Sequence, residues 1–141
     1  MTTIKSFTDI EQSKKLAEIL PHESADAFYD SAEPEKRQKP IVGSPDEYFD
    51  MENWAIPCWS LAALLAALPN EIITDNRFEC HYQIHIRKYD EGDNTTLHQI
   101  AYGNNRGLSN SWHDMINTGE KENLIDCCVQ MILKLHELKL L

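Results

Sequence analysis

The segment Trp54-Ala55-Ile56-Pro57-Cys58-Trp59-Ser60-Leu61-Ala62-Ala63-Leu64-Leu65-Ala66-Ala67-Leu68-Pro69 carries no charged side chain and holds signals for the start, body and end of a helix. Pro57 fixes its own φ and biases Ile56 away from helical backbone, so the chain reaches Cys58 and Trp59 in an extended conformation. Ser60 is the natural N-cap; its hydroxyl can accept from a free amide of the first turn, a bond worth on the order of 1 kcal/mol. Trp59 then stands at N′ and Leu64 at N4, the spacing of a hydrophobic staple. Leu61, Leu64, Leu65 and Leu68 recur at i, i+3, i+4 and i+7, with Ala62, Ala63, Ala66 and Ala67 on the other face. Pro69 lacks the donor that a further turn requires, so the helix closes near Leu68. Apolar on every side, it is expected in the core, and it is well short of the roughly 20 apolar residues of a membrane span.

The 141 residues suit one domain, spanning 1–141, that buries most of its apolar surface without staples. A formal net charge of −10 argues against direct contact with nucleic-acid phosphates and against an anionic membrane surface. The N-terminus shows no basic segment followed by an apolar core, so no secretory leader is expected. Cys58, Cys80, Cys127 and Cys128 show neither CxxC nor a framework spacing, which fits reduced thiols in a cytoplasmic protein.

Towards the N-terminus, Thr8 and Glu11 form a capping box for an amphipathic helix that runs to Leu20 and stops at Pro21. Ala27, Phe28 and Tyr29 fit a brief strand, although so short a run has no decisive period. From about 31 to 53, Pro34, Pro40, Pro45 and Gly43 interrupt a sparse apolar content, and a long surface loop is expected. Nine acidic residues against three basic ones lie between Glu23 and Glu52, so much of the net charge sits there. Tyr48, Phe49 and Trp54 are the candidate interaction surface at the end of this loop, unless they cover the core beneath it.

Towards the C-terminus, Tyr82, Ile84 and Ile86 alternate with His81, Gln83, His85 and Arg87, the period of a strand from Phe78 to Tyr89. A turn at 90–93 leads to a second strand from about Asn94 to Tyr102. A four-residue loop sets Ile86 opposite Leu97, Tyr82 opposite Ala101 and His85 opposite His98. A second loop is expected at 103–119, anchored on the core by Trp112 and Met115. Asn123 is the N-cap of a last helix to about Leu138, with Leu124, Cys128, Met131, Ile132, Leu135 and Leu138 at helical spacing. Cys127 and Cys128 point about 100° apart on that helix, which suits core packing and not a bond between them. The fold class is therefore α+β, with one antiparallel sheet built on the central hairpin and packed against helices near 9–20, 60–68 and 123–138.

Few residues suggest chemistry. His81 and His85 have the spacing of a helical zinc motif, but on a strand four residues span roughly 13 Å, too far for one ion. His85 and His98 together lack a third ligand. Cys58 precedes a helix start, which lowers a thiol pKa, but no histidine is placed beside it and burial is the better reading. His113-Asp114 is an isolated dipeptide, and the five glycines make no phosphate-cradling loop. No catalytic, metal-binding or cofactor-binding residue is assigned, and no cofactor is expected.

Ile56-Pro57-Cys58-Trp59-Ser60-Leu61-Ala62-Ala63-Leu64-Leu65, Leu68-Pro69 and the C-terminal Asp126-Cys127-Cys128-Val129-Gln130-Met131-Ile132-Leu133-Lys134-Leu135-His136-Glu137-Leu138 resemble a family of small uncharacterised Bacteroidetes proteins found in phage and mobile-element contexts. Glu11-Gln12-Ser13-Lys14-Lys15-Leu16 and Glu23-Ser24-Ala25-Asp26 are similar to its N-terminal part. The resemblance implies a shared fold and no activity. The expected function is a non-enzymatic accessory or protein-interaction protein with an unidentified protein partner. The alternative is an acidic DNA mimic that inhibits a host nuclease, and a small hydrolase or metal enzyme ranks behind both.

Overall fold

Pro57 and Ser60 act as their chemistry dictates in the computed structural model of the chain, which describes residues 5–30, 39–43, 55–74 and 79–141. The architecture is α+β, and the described residues form three α-helices and two antiparallel sheets in place of the single sheet expected. The chain divides into two compact units, residues 4–67 and residues 68–141. Among the described residues no helix is long and apolar enough to cross a membrane.

In the first unit, α1 (Ile10–Ala17) precedes β1 (Ala27–Asp30), β2 (Ile41–Val42), β3 (Ala55–Cys58) and α2 (Leu61–Ala67). The strands pair in the order β2-β1-β3, with Ala27 opposite both Val42 and Cys58 and Asp30 opposite Ala55. Part of the expected loop is thus a strand, because Ile41 and Val42 are β-branched and follow Pro40 in extended backbone. Ala27, Tyr29 and Cys58 form a buried cluster on which Phe7, Ile10 and Ile56 pack. Ser60 Oγ accepts the Ala63 amide at 3.2 Å, which makes Ser60 the N-cap of α2. Trp59 and Leu64, the two staple positions, are both fully buried. Only one side of α2 is covered, however. Leu64 is buried, Leu61 and Leu65 are half-buried, and Ala62 and Ala66 are exposed, so small size and not burial explains the alanine face.

The cap of α1 is one residue later than the sequence pattern suggests. Asp9 accepts the Gln12 amide at 2.8 Å, and Gln12 Oε1 accepts the Asp9 amide at 3.1 Å. Thr8 is drawn into the interior, where its hydroxyl serves tertiary partners, and the equally suited Asp9 takes over the cap.

The second unit contains β4 (Glu71–Thr74), β5 (Cys80–Asp90), β6 (Thr96–Arg106), β7 (Ser111–Asn117) and α3 (Leu124–Glu137). The four strands form a meander in sequence order. The central hairpin exists, but Ile86 faces Ile100, His85 faces Ala101, and Lys88 faces His98, a displacement of three residues from the expected register. The turn is longer than four residues: Asp90 pairs with Thr96, and Gly92, Asp93 and Asn94 all adopt positive φ. Burial explains the shift. Ile100 and Tyr102 are fully buried, and the observed register puts both on the side of Ile84 and Ile86. The Tyr102 hydroxyl donates to the Pro69 carbonyl at 2.5 Å, and burial raises its pKa.

The loop expected at 103–119 is mostly strand, since β6 continues to Arg106 and β7 follows a tight turn. Helix α3 packs on β6 and buries Ile125, Cys127, Cys128, Val129, Met131, Ile132 and Leu135. Leu124 and Leu138, expected in that stripe, are half-buried and exposed respectively. Cys127 and Cys128 are free thiols. Cys127 donates to the His98 carbonyl at 3.1 Å, and burial pushes Cys128 up to about 12.

Candidate interaction face of the four-stranded sheet

Tyr48, Phe49 and Trp54, the residues named from sequence as an interaction surface, lie outside the described residues. Polar side chains gather in two other places, one in each unit.

The first is buried around Thr8. Its Oγ1 lies 2.7 Å from Ser13 Oγ and 3.6 Å from Cys58 Sγ, and it accepts the Trp59 amide at 3.2 Å. The Thr8 carbonyl accepts from the Tyr29 hydroxyl at 2.7 Å and from the Cys58 thiol at 3.5 Å. Nearby, Trp59 Nε1 donates to Ser24 Oγ at 3.0 Å, while the Asp26 carboxylate accepts both the Ser60 amide at 2.8 Å and the Ser60 hydroxyl. Burial raises the pKa of Cys58 and of Tyr29. A protonated, fully buried thiol is a poor nucleophile. This grouping holds α1, β1 and β3 together, with Thr8, Ser13 and Cys58 fully buried at its centre.

The second lies on one face of the four-stranded sheet. Directly opposed residues of an antiparallel pair point the same way, so register alone sorts the faces. Ile84, Ile86, Ile100 and Tyr102 share one side, on which α3 covers Ile100 and Tyr102 of β6 while Ile86 stays exposed. Gln83, His85, Arg87 and Tyr89 of β5 share the other with Gln99, Ala101 and Gly103 of β6 and with Trp112, Asp114 and Asn117 of β7. Arg87 reaches Asp114 through two bonds, at 2.9 and 2.5 Å, and donates to Gln99 Oε1 at 3.2 Å. Asp114 also accepts from Trp112 Nε1 at 2.7 Å and from Asn117 Nδ2 at 3.3 Å. The Trp112 indole leans over Gly103 and stacks on His85, with ring centroids 3.5 Å apart and planes 9° from parallel.

Two chains of cause build this face. Gly103 has no side chain, so a large ring can cross it from the neighbouring strand. The shift in pairing between Tyr102 and Gly103 then brings Asp114 opposite Gly103 and within reach of Arg87. The guanidinium of Arg87, followed by the Trp112 and Asn117 donors, holds the Asp114 carboxyl at about 2 against an ordinary value of 3.8. A depressed carboxyl pKa stabilises the folded state above the unfolded value, and that contribution disappears as pH falls through the folded one. Wild-type stability is therefore expected to drop relative to Asp114→Asn by about 1 kcal/mol between about pH 4 and pH 2, a figure reduced for solvent screening. Urea midpoints of both proteins across that range check this; parallel pH profiles would sink it.

His81 stands on the same strand face, with Nδ1 against the Glu71 carboxylate and Nε2 3.7 Å from Glu79. The Glu71 hydrogen bond raises its pKa. His98 points to the opposite face beside Lys88, so the expected pairing of His85 with His98 does not form. Among the described residues no three His, Cys, Asp or Glu side chains converge as a metal site requires. Compared with known proteins, the chain matches no family model, no curated protein and no solved structure.

Trp112, expected as a core anchor of a loop, and Asp114, expected only in an isolated dipeptide, join Asn117 on a strand face that sequence reasoning missed because Gly103, Asn104 and Asn105 imitate a loop. The available signal was Gly103 itself. A glycine inside an otherwise strand-like run marks a close approach, and a tryptophan nine residues on is the group that approaches.

Proposed function

We propose that the chain is a non-enzymatic protein-interaction module that meets its partner through the sheet face around Trp112, with the phage or mobile-element setting that the sequence resemblance implies. The reading is carried by the His85–Trp112 stack beside the Arg87–Asp114 fork, an arrangement fixed before any partner arrives. Tryptophan and arginine are the residue types that most often dominate binding energy at interfaces. Their positions are already set by hydrogen bonds and stacking, so little side-chain freedom remains to be lost on association. Asp114 accepts four hydrogen bonds, which makes it a positioning group and a poor proton acceptor.

The test is affinity capture from the cells of origin, with wild type, His85→Ala and Trp112→Ala compared at equal folded concentration. A specific protein retained by wild type is expected to lose about thirtyfold in affinity with Trp112→Ala, the size of an interface hot spot. His85→Ala removes an exposed ring and leaves folding intact, so it separates lost binding from lost structure. Equal capture by all three proteins, or no captured protein at all, would overturn the reading.

A further inference from the structure

We propose that His81 is a pH-operated clasp: with its ring protonated it ties the edge strand β4 to β5, and with its ring neutral it lets β4 loosen. The device is independent of any partner at the face around Trp112. β4 has four residues, stands at the end of the strand order, and among the described residues pairs only with β5. Such a strand lies at the low end of local stability, where a small change in free energy visibly changes how often it opens. His81 sits opposite Ile73 of β4, and its two ring nitrogens address different carboxylates. Nδ1 meets Glu71 of β4, and Nε2 lies 3.7 Å from Glu79, just ahead of β5. Only the imidazolium carries a proton on both nitrogens. The neutral ring turns a lone pair towards one of the carboxylates and no longer offsets their mutual repulsion, which drives Glu71, and β4 with it, away from β5.

Among the described residues, Glu71 and Glu79 are the charged groups that act on the ring. Ile73 of β4 is apolar, Gly103 and Asn105 of β6 are uncharged, Asp114 of β7 is engaged by Arg87, and His85 of the same strand is stacked on Trp112. The His81 side chain is 51% exposed, so its proton equilibrates with the surrounding solution. The Glu71 hydrogen bond raises its pKa above the ordinary 6.5. Stability of this origin is complete below the unfolded value and is lost as pH rises through the folded one, so β4 is held in mild acid and released in mild base.

The experiment follows the full chain, labelled with ¹⁵N, by solvent-exchange NMR. Ile84 N donates to the Asn70 carbonyl at 3.1 Å, and hydrogen-bonded pairs alternate along the ladder, so the amides of Ile72 and Thr74 are the ones that join β4 to β5. Their protection, taken relative to an unstructured chain at the same pH, is expected to fall about threefold between about pH 5.5 and about pH 8, the size of an exposed ion-pair effect, in step with the titration of the His81 ring. The amides that join β6 to β7 are expected to keep theirs. Glu71→Gln and His81→Gln change exposed side chains, and each is expected to remove most of the fall, while Glu71→Gln also lowers the His81 midpoint. Wild-type protection that does not change with pH, a fall of the same size in either variant, a midpoint unmoved by Glu71→Gln, or an equal fall across β6 and β7 would each overturn the proposal.

Discussion

Replacing Gly103 with alanine is expected to destabilise the unit of residues 68–141 by about 3 kcal/mol, near the upper end of what overpacking costs. A methyl group at this position would run into the carbonyl oxygen of His113, and would lie 2.9 Å from Trp112 Cζ2 and 3.0 Å from the Asp114 Cα. Two of those three atoms are backbone, so no rotamer change relieves the clash. The strand must move, and β7 carries Trp112 and Asp114 with it. Urea unfolding followed through resonances of 68–141 gives the size of the loss, and the Trp112 indole signal reports whether the stack on His85 survives. Adding Trp112→Ala to Gly103→Ala is expected to recover little, because the nearest atom belongs to the main chain. Full recovery in that double variant, or a midpoint close to wild type in the single one, would show that the glycine is dispensable.

The second large effect is expected at Thr8. Valine has nearly the same shape, so Thr8→Val leaves packing intact while withdrawing the acceptor of the Trp59 amide and the partner of the Ser13 hydroxyl. Thr8 and Ser13 are both fully buried, and water has no route to replace the lost bonds. An unsatisfied buried group costs about 1–3 kcal/mol, which gives about 3 kcal/mol for the pair. Thr8→Ser keeps the hydroxyl and removes one methyl, a change of about 1 kcal/mol. Unfolding monitored at Tyr29 and Trp59 distinguishes the two. If serine costs as much as valine, packing and not hydrogen bonding makes Thr8 important.

Local signals were legible wherever the deciding physics was local. Pro57, Ser60 and Pro69 punctuate the chain through their own backbone and hydroxyl chemistry, and the structure places α2 between them. The alternation from Tyr82 to Arg87 likewise identifies β5 and its two faces. What stayed hidden depended on residues distant in the chain. The hairpin register follows from Ile100 and Tyr102 needing cover from α3, which the turn sequence does not encode. Thr8 looks like a cap until Cys58 and Trp59 claim its hydroxyl. The sheet face was the least legible part, since Arg87, Gln99 and Asp114 acquire a joint meaning only once three strands lie side by side.

The bonds of Thr8 also bear on the order in which the chain acquires structure. Thr8 and Trp59 are 51 positions apart, and Ser60 reaches back 34 positions to Asp26. By contrast, His81 meets Glu71 across 10 positions, Gln99 meets the Thr118 carbonyl across 19, and Arg87 meets Asp114 across 27. Contacts between distant positions form slowly because a long loop must close first. As the chain leaves the ribosome, the segment around Thr8 has its capping bonds and Ser13 at hand, but it lacks Cys58 and Trp59 until residue 60 has cleared the exit. The segment around Thr8 therefore waits longest for its place, while each hairpin of the second unit can close soon after its own strands emerge.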